Sequence, residues 1–266
     1  MSQRVLAVVN QKGGVGKTTT TINLAAALAA RGQSVLIIDL DPQGNATTGL
    51  GVSKRGEGDN LFDVFVNKLK LEAVITQTNV RGVNLAPSHM DMASVEMRLG
   101  DSPDRATRLK QALNSLEKKY DYVLIDCPPS LTMLTVNALM AAGSVLVPLQ
   151  CEFFALEGLS QLLKTVEMAK ANLNPELVID GVMLTMYDKG NRLSAQVASD
   201  VREHLGRAVF ETVIPRNVRI AEAPSFAQSV LSYDPSCSGS KAYIALADEL
   251  LARHKKKPKN TIKSVS

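Results

Sequence analysis

Six short apolar runs constrain this chain more than any other feature. They lie at residues 5–9 (VLAVV), 35–38 (VLII), 122–125 (YVLI), 145–149 (VLVPL), 177–184 (LVIDGVML) and 209–214 (VFETVI). Most are β-branched and continuous rather than alternating, the pattern of strands buried on both faces. Helical stretches separate them. Residues 18–30 are rich in Ala and Leu and stop before Gly32. Residues 155–172 set Leu159, Leu162, Leu163 and Val166 on one stripe. Residues 105–119, 192–205 and 241–253 look similar. Strands that alternate with helices predict an α/β fold: a doubly wound, mostly parallel sheet with helices on both faces.

There is no internal repeat and no low-complexity linker before His254. Residues 1–254 are therefore expected to form one domain. Residues 51–60 are polar and Gly-rich and predict a surface loop. Residues 255–266 are Lys-rich, interrupted by Pro258, and are expected to be a disordered tail. The chain has a formal net charge of +4, which first suggests a polyanionic partner. Five of the lysines lie beyond His254, and without them the body is near −1. The positive balance thus belongs mostly to the tail. Three scattered cysteines, Cys127, Cys151 and Cys237, argue against a disulfide framework. No apolar run is long enough to span a membrane, and no signal-peptide pattern opens the chain. A reducing, cytoplasmic home is expected.

The first run leads into Asn10-Gln11-Lys12-Gly13-Gly14-Val15-Gly16-Lys17-Thr18-Thr19 and then a helix. Strand, glycine loop and helix are the context of a phosphate-binding loop. Glycines let backbone N–H groups turn around phosphate oxygens, and the helix N-terminus adds partial positive charge. In this reading Lys17 reaches the β- and γ-phosphates, and the Thr18 hydroxyl ligates Mg²⁺. The Thr19 amide and hydroxyl lie near the α-phosphate. Gln11 stands where the usual pattern has its first glycine, and an extra lysine, Lys12, precedes the Gly pair. The plainer alternative is a Gly-rich turn with two surface lysines.

Two other runs end in acids: Asp39-Leu40-Asp41-Pro42-Gln43-Gly44-Asn45, and Asp126-Cys127-Pro128-Pro129-Ser130. Ligands of open parallel sheets bind at the carboxyl ends of strands, so these segments are expected to converge on the glycine loop. Asp126 suits a Mg²⁺ partner acting through water. Asp39 and Asp41 cannot point the same way in an extended chain. The expectation is Asp39 toward the Mg²⁺ region and Asp41 orienting the attacking water. Either acid can instead cap a helix or turn.

With KGGVGKTT, DLDPQGNAT and DCPPS in this order, the sequence resembles the deviant Walker-type ATPases and, more narrowly, the ParA/Soj partitioning ATPases. EFFALEG at 152–158, LTMYD at 184–188 and IPRNVRIAEAPS at 214–225 extend the likeness over residues 5–253. The resemblance implies ATP and Mg²⁺ as ligands and an ATP-dependent sandwich dimer. It makes Lys12 the lysine that crosses to the partner's phosphates, beside a necessarily small Gly13. It sets Pro215 and Asn217 against the adenine. It implies non-specific DNA binding, with Arg192, Arg216, Arg219, Lys241 and the tail lysines as candidates. Arg192 and Arg219 are favoured, and Arg216 can alternatively serve the nucleotide. It also implies a ParB-type partner that stimulates slow hydrolysis, and a nucleoid-associated protein. The DNA-binding N-terminal extension of some plasmid relatives is expected to be absent.

Three related classes share these motifs or this fold. A MinD-type positioning ATPase needs a C-terminal amphipathic membrane helix. The end here, HKKKPKNTIKSVS, is too polar for insertion, although its lysines would suit an anionic surface. A nitrogenase-type iron protein needs cluster-holding cysteines; Cys127 and Cys151 read as small buried thiols instead. A metabolic ATP-dependent ligase needs a substrate pocket that no sequence feature marks. His89, His204 and His254 have no metal-ligand spacing, and His204 is expected on a helix surface. Met90, Met92, Met97, Met183 and Met186 read as core or interface fillers.

Overall fold

A computed structural model describes residues 3–53, 59–153 and 155–255. Among these residues, eight strands form one sheet: β1 (Arg4–Val8), β2 (Val35–Asp39), β3 (Thr76–Gln77), β4 (Val83–Ala86), β5 (Tyr122–Asp126), β6 (Ser144–Gln150), β7 (Val178–Tyr187) and β8 (Val209–Pro215). Their order is β3-β4-β2-β5-β1-β6-β7-β8. Every pairing is parallel except β3 with β4.

The continuous apolar runs have a direct physical cause. On β1, Leu6 and Val8 pack into one core with Ile22, Leu24, Leu28, Tyr243 and Leu246. Ala7 and its neighbour Val9 pack into the opposite core with Leu134, Leu159 and Val201. Each strand residue therefore meets a helix whichever way it points. The first helix, Lys17–Ala30, covers one face; Met133–Ala141, which follows β5, covers the other. β1 and β5 are adjacent, and their following helices diverge to opposite faces. That divergence opens a crevice beyond the carboxyl ends of these two strands.

Helices Ala155–Asn172 and Arg192–Leu205 have the expected bounds, with Leu159, Leu162 and Val166 buried. The stretch expected as a helix at 105–119 is helical only over Arg108–Ser115, because Leu116 is already extended. β3 and β4 widen the sheet by two strands that the apolar runs did not reveal. Met92 and Met183 are core residues, whereas Met90 and Met97 are each 75% exposed. Cys127 and Cys151 are buried free thiols, and His204 is exposed on its helix. The expected loop at 51–60 falls partly outside the described residues, and Asn60 caps helix Leu61–Val66 through a capping box with Asp63. The last helix runs Ser238–Lys255; the tail expectation from residue 256 on lies outside the described residues.

Candidate functional site: a glycine loop facing two buried carboxylates

The glycine loop occupies the crevice. Gly14 and Gly16 have φ of 75° and 90°, left-handed values that glycine adopts without steric cost. A Cβ added to Gly13 or Gly14 would meet nothing within 4 Å, so the loop surrounds open space. Helix Lys17–Ala30 begins there with no side-chain cap and no acid in its first turn. Its first backbone bond within the helix is Thr20 N–H to the Gly16 carbonyl, 2.9 Å. The preceding amides, including those of Thr18 and Thr19, are the groups a helix leaves for an external acceptor. An anion is the partner that suits them electrostatically.

Lys17 is 7% exposed and donates to the Lys12 carbonyl at 3.0 Å. Burial pushes its ammonium below its usual range; the nearby charges of Asp126 and Asp41 oppose that fall. Asp126 is fully buried at the end of β5, in register with Val8 of β1 and Asp39 of β2. One of its oxygens accepts from the Thr21 hydroxyl at 3.1 Å. Among the described residues the other has no partner at hydrogen-bond geometry. Burial first, then the Asp39 charge, raises the Asp126 carboxyl, and Thr18 and Thr21 partly offset the rise. A buried, orphaned carboxylate oxygen beside a glycine cradle and an uncapped helix is a donor set suited to a hydrated divalent cation and the phosphates it accompanies.

Asp39 and Asp41 take different positions. Asp39 is fully buried, and its oxygens accept from the Thr47 N–H (2.8 Å), the Thr47 hydroxyl (2.7 Å) and the Asp41 N–H (3.3 Å). Burial raises its carboxyl, and Thr47 opposes the rise. Asp39 therefore ties the segment 41–47 to the sheet. The Thr47 hydroxyl also accepts from Ser88 N–H beyond β4, at 3.0 Å. Asp41 is 8% exposed; one oxygen accepts from Gln43 N–H at 2.9 Å, the turn-capping contact that an Asp before Pro readily makes.

Lys12 pairs outside this cluster. Its ammonium is ion-paired with Glu152, just beyond β6, and half its side chain is exposed. Gln11, in the place of the missing glycine, donates to the Thr165 hydroxyl at 3.0 Å. Asn10 donates to the Pro148 carbonyl at 2.8 Å, and its own oxygen accepts from Lys12 N–H at 3.0 Å. The departure at residues 11 and 12 is thus fastened to the β6 side of the loop.

Pro215 ends β8 in register with Tyr187. Asn217 caps the next helix: its oxygen accepts from Arg219 and Ile220 N–H, and its amide donates to Ser238 Oγ at 2.9 Å. Among the basic candidates, Arg192, Arg216 and Lys241 are exposed, and among the described residues they form no ion pair. Arg219 is exposed but paired with Glu222 (2.9 Å) and Asp234 (3.6 Å). Thr21, Thr47, Glu152 and Thr185 took no part in the sequence reading of the site. Thr47, Glu152 and Thr185 do lie in the quoted segments DLDPQGNAT, EFFALEG and LTMYD, and Thr21 lies one helical turn from Thr18.

A family model described as an AAA domain matches residues 3–179. The chromosome partitioning protein ParA of Caulobacter vibrioides strain NA1000 / CB15N is 54% identical over 254 residues, 95% of each chain. The sporulation initiation inhibitor protein Soj of Bacillus subtilis strain 168 is 47% identical over 249 residues, 94% of this chain and 98% of that one. Among solved structures, a cobyrinic acid a,c-diamide synthase from Mycobacterium smegmatis with bound ADP and magnesium has a TM-score of 0.84 and 38% identity, covering 96% of both chains. Fold, loop, carboxylates and kinship agree: the chain belongs to the ParA/Soj family of chromosome-partitioning ATPases, P-loop proteins with a deviant Walker A loop.

Proposed function

We propose that this protein is a DNA-partitioning ATPase whose ATP-bound dimer binds DNA without sequence preference and is released by partner-stimulated hydrolysis. The observation that carries the reading is the uncapped helix at Lys17, facing the glycine cradle beside the orphaned Asp126 oxygen. ATP with Mg²⁺ fits this site. Gly13 to Thr19 would hold the phosphates through backbone N–H groups, with Lys17 on the β- and γ-phosphates. Thr18 and Asp126 would hold the metal, and buried Asp39 would support them from behind. Bound Mg²⁺ supplies charge neutralisation on the phosphates. Asp41 orients the attacking water at the rim, where the segment 41–47 is held by Asp39. Pro215 and Asn217 lie beside the base.

Lys12 does not neutralise the charge of its own cradle in the protomer, which favours a role in trans. Leu131 and Phe153, 54% and 75% exposed, leave apolar surface on the segments that flank Gln11 and Glu152. Exposed apolar side chains on these segments suit a second copy of the chain. Once dimerised, exposed Arg192, Arg216 and Lys241 supply phosphate contacts that need no base readout. Arg219 joins them only by leaving Glu222 and Asp234. A ParB-type protein is the expected activator of slow intrinsic hydrolysis, and the nucleoid the expected location. No helix among the described residues is long and apolar enough to cross a membrane.

The test is retention of DNA of arbitrary sequence with ATP, with ADP, and at rising salt. Retention should require ATP and fall steeply with salt, because Lys and Arg contacts release counterions. Binding to anionic liposomes in place of DNA would favour the MinD-type reading. Lys12→Ala should eliminate the ATP-induced dimer on a sizing column, and Asp41→Ala should retain the dimer and DNA while losing hydrolysis. A Lys12→Ala dimer like that of the native protein would refute the role in trans.

A further inference from the structure

One polar contact to the glycine loop comes from a strand 170 residues away. Thr185, near the carboxyl end of β7, is 2% exposed, and its hydroxyl donates to the Val15 carbonyl at 2.9 Å. Its side chain also lies under the next residue. A Cβ on Gly16 would sit 3.9 Å from the Thr185 methyl and 4.0 Å from its Cβ. The next strand residue, Met186, has φ of 52°, a left-handed value that a side chain rarely adopts. At this point β7 slips register against β8, between Leu184 and Tyr187. Beyond the slip, pairing resumes, with Arg216 N–H donating to the Tyr187 carbonyl at 3.0 Å.

The peptide joining Val15 to Gly16 is planar and trans, so its carbonyl and its N–H point in opposite directions. Holding the carbonyl on Thr185 therefore aims the Gly16 N–H the other way. A free carbonyl rotating inward would present a negative dipole to an anion. We propose that Thr185 is a positioning residue for the nucleotide loop, directing the Gly16 N–H into the phosphate cradle, and that left-handed Met186 keeps Thr185 aimed at the loop. This rests on the reading that the loop takes a nucleotide, but it assigns the aim of the loop to β7 rather than to the glycines alone. Left-handed non-glycine backbone persists only where its surroundings over-determine it, and such residues cluster at ligand clamps. Here the surroundings are the Val15 carbonyl on one side and the Arg216 amide on the other.

The experiment measures ADP affinity by calorimetry and thermal unfolding of the nucleotide-free protein. Thr185→Val keeps the shape and removes the donor; ADP binding should weaken roughly ten-fold, the effect of leaving one buried carbonyl unpaired. Thr185→Ser should restore binding to within about two-fold, because it keeps the hydroxyl. The nucleotide-free Thr185→Ser protein should unfold with the native protein. Thr185→Val binding ADP normally, or Thr185→Ser binding as weakly as the valine variant, overturns the proposal. Met186 gives a second route that leaves Thr185 in place and serves if Thr185→Val does not fold. Met186→Gly accepts left-handed backbone and should keep native affinity, whereas β-branched Met186→Val resists it and should weaken ADP several-fold. Equal affinity in these two variants also overturns it. A native protein that binds no ADP would instead remove the nucleotide reading itself, so the two failures are distinguishable.

Discussion

The two ends of the sheet treat charge in opposite ways. At the amino end, polar groups are matched. Asp121 accepts from both the N–H and the hydroxyl of Ser34, at 2.8 and 2.7 Å. His254 hydrogen-bonds with Tyr122 at 2.9 Å and Asp180 at 2.7 Å, and its carbonyl accepts from Arg4 at 3.1 Å. Arg253 donates to the Val209 and Asp180 carbonyls and pairs with Glu249. The His254 and Arg253 contacts fasten the last helix across the starts of β1, β5, β7 and β8. At the carboxyl end, burial raises two carboxylates, lowers a lysine, and leaves one Asp126 oxygen without a partner among the described residues. Unmet polar groups in a crevice mark a binding site, whereas matched ones mark a joint.

The largest effect that can break this contrast is at Lys17. Lys17→Ala removes the buried cation from the cradle and should lower ATP affinity roughly 100-fold, the scale of a charge-assisted contact, as read by calorimetry. The amino end should be untouched, so the circular dichroism spectrum should remain native. ATP binding of native strength would mean that the carboxyl end is not a phosphate site.

Asp126→Asn comes next and has opposite signs in two measurements. It removes a carboxyl that burial makes harder to ionise in the folded state than in the unfolded chain, so at neutral pH the nucleotide-free protein should gain about 2–4 °C in Tm. It should also eliminate the Mg²⁺-dependent part of ATP's stabilisation. A lower Tm without nucleotide would show that Lys17 and the threonines already compensate Asp126, and that this end is as matched as the other.

The carboxyl end was largely legible in the sequence, and the amino end was not. Loop glycines, Lys17 and the acids after β2 and β5 lie within a few residues of apolar runs that announce their strands. Their spacing carries their geometry. The amino-end joint pairs Tyr122 with His254 and Asp121 with Ser34, over 132 and 87 residues. No local pattern encodes such partners, and His254 reads only as the last residue before a polar tail. Thr185 was hidden for the same reason, although its segment carries the family likeness. β3 and β4 escaped notice because Thr76–Gln77 is two residues long and the four residues of β4 include Asn84. The use of Asp39 depends on its neighbours: the run into DLD placed it at the strand end, but only packing reveals that Thr47 occupies its oxygens.

The smallest expected effect sharpens the contrast from the amino end. Asp121 accepts two hydrogen bonds from Ser34, and these contacts, the backbone one first, hold its carboxyl below the usual carboxylate range. A lowered folded pKa means that the folded state releases this proton more readily than the unfolded chain. The associated stability is therefore present above the unfolded value near pH 4 and is lost as pH falls through the folded value. Asp121→Ala should cost about 1 kcal/mol at pH 7, read as a lower urea midpoint, with ATP affinity unchanged. Between roughly pH 4.5 and 3 the gap from the native protein should narrow. A constant gap would assign the loss to packing rather than to the charged contact. Altered ATP affinity would mean that the two ends of the sheet are coupled, and that a joint at one end helps to shape the site at the other.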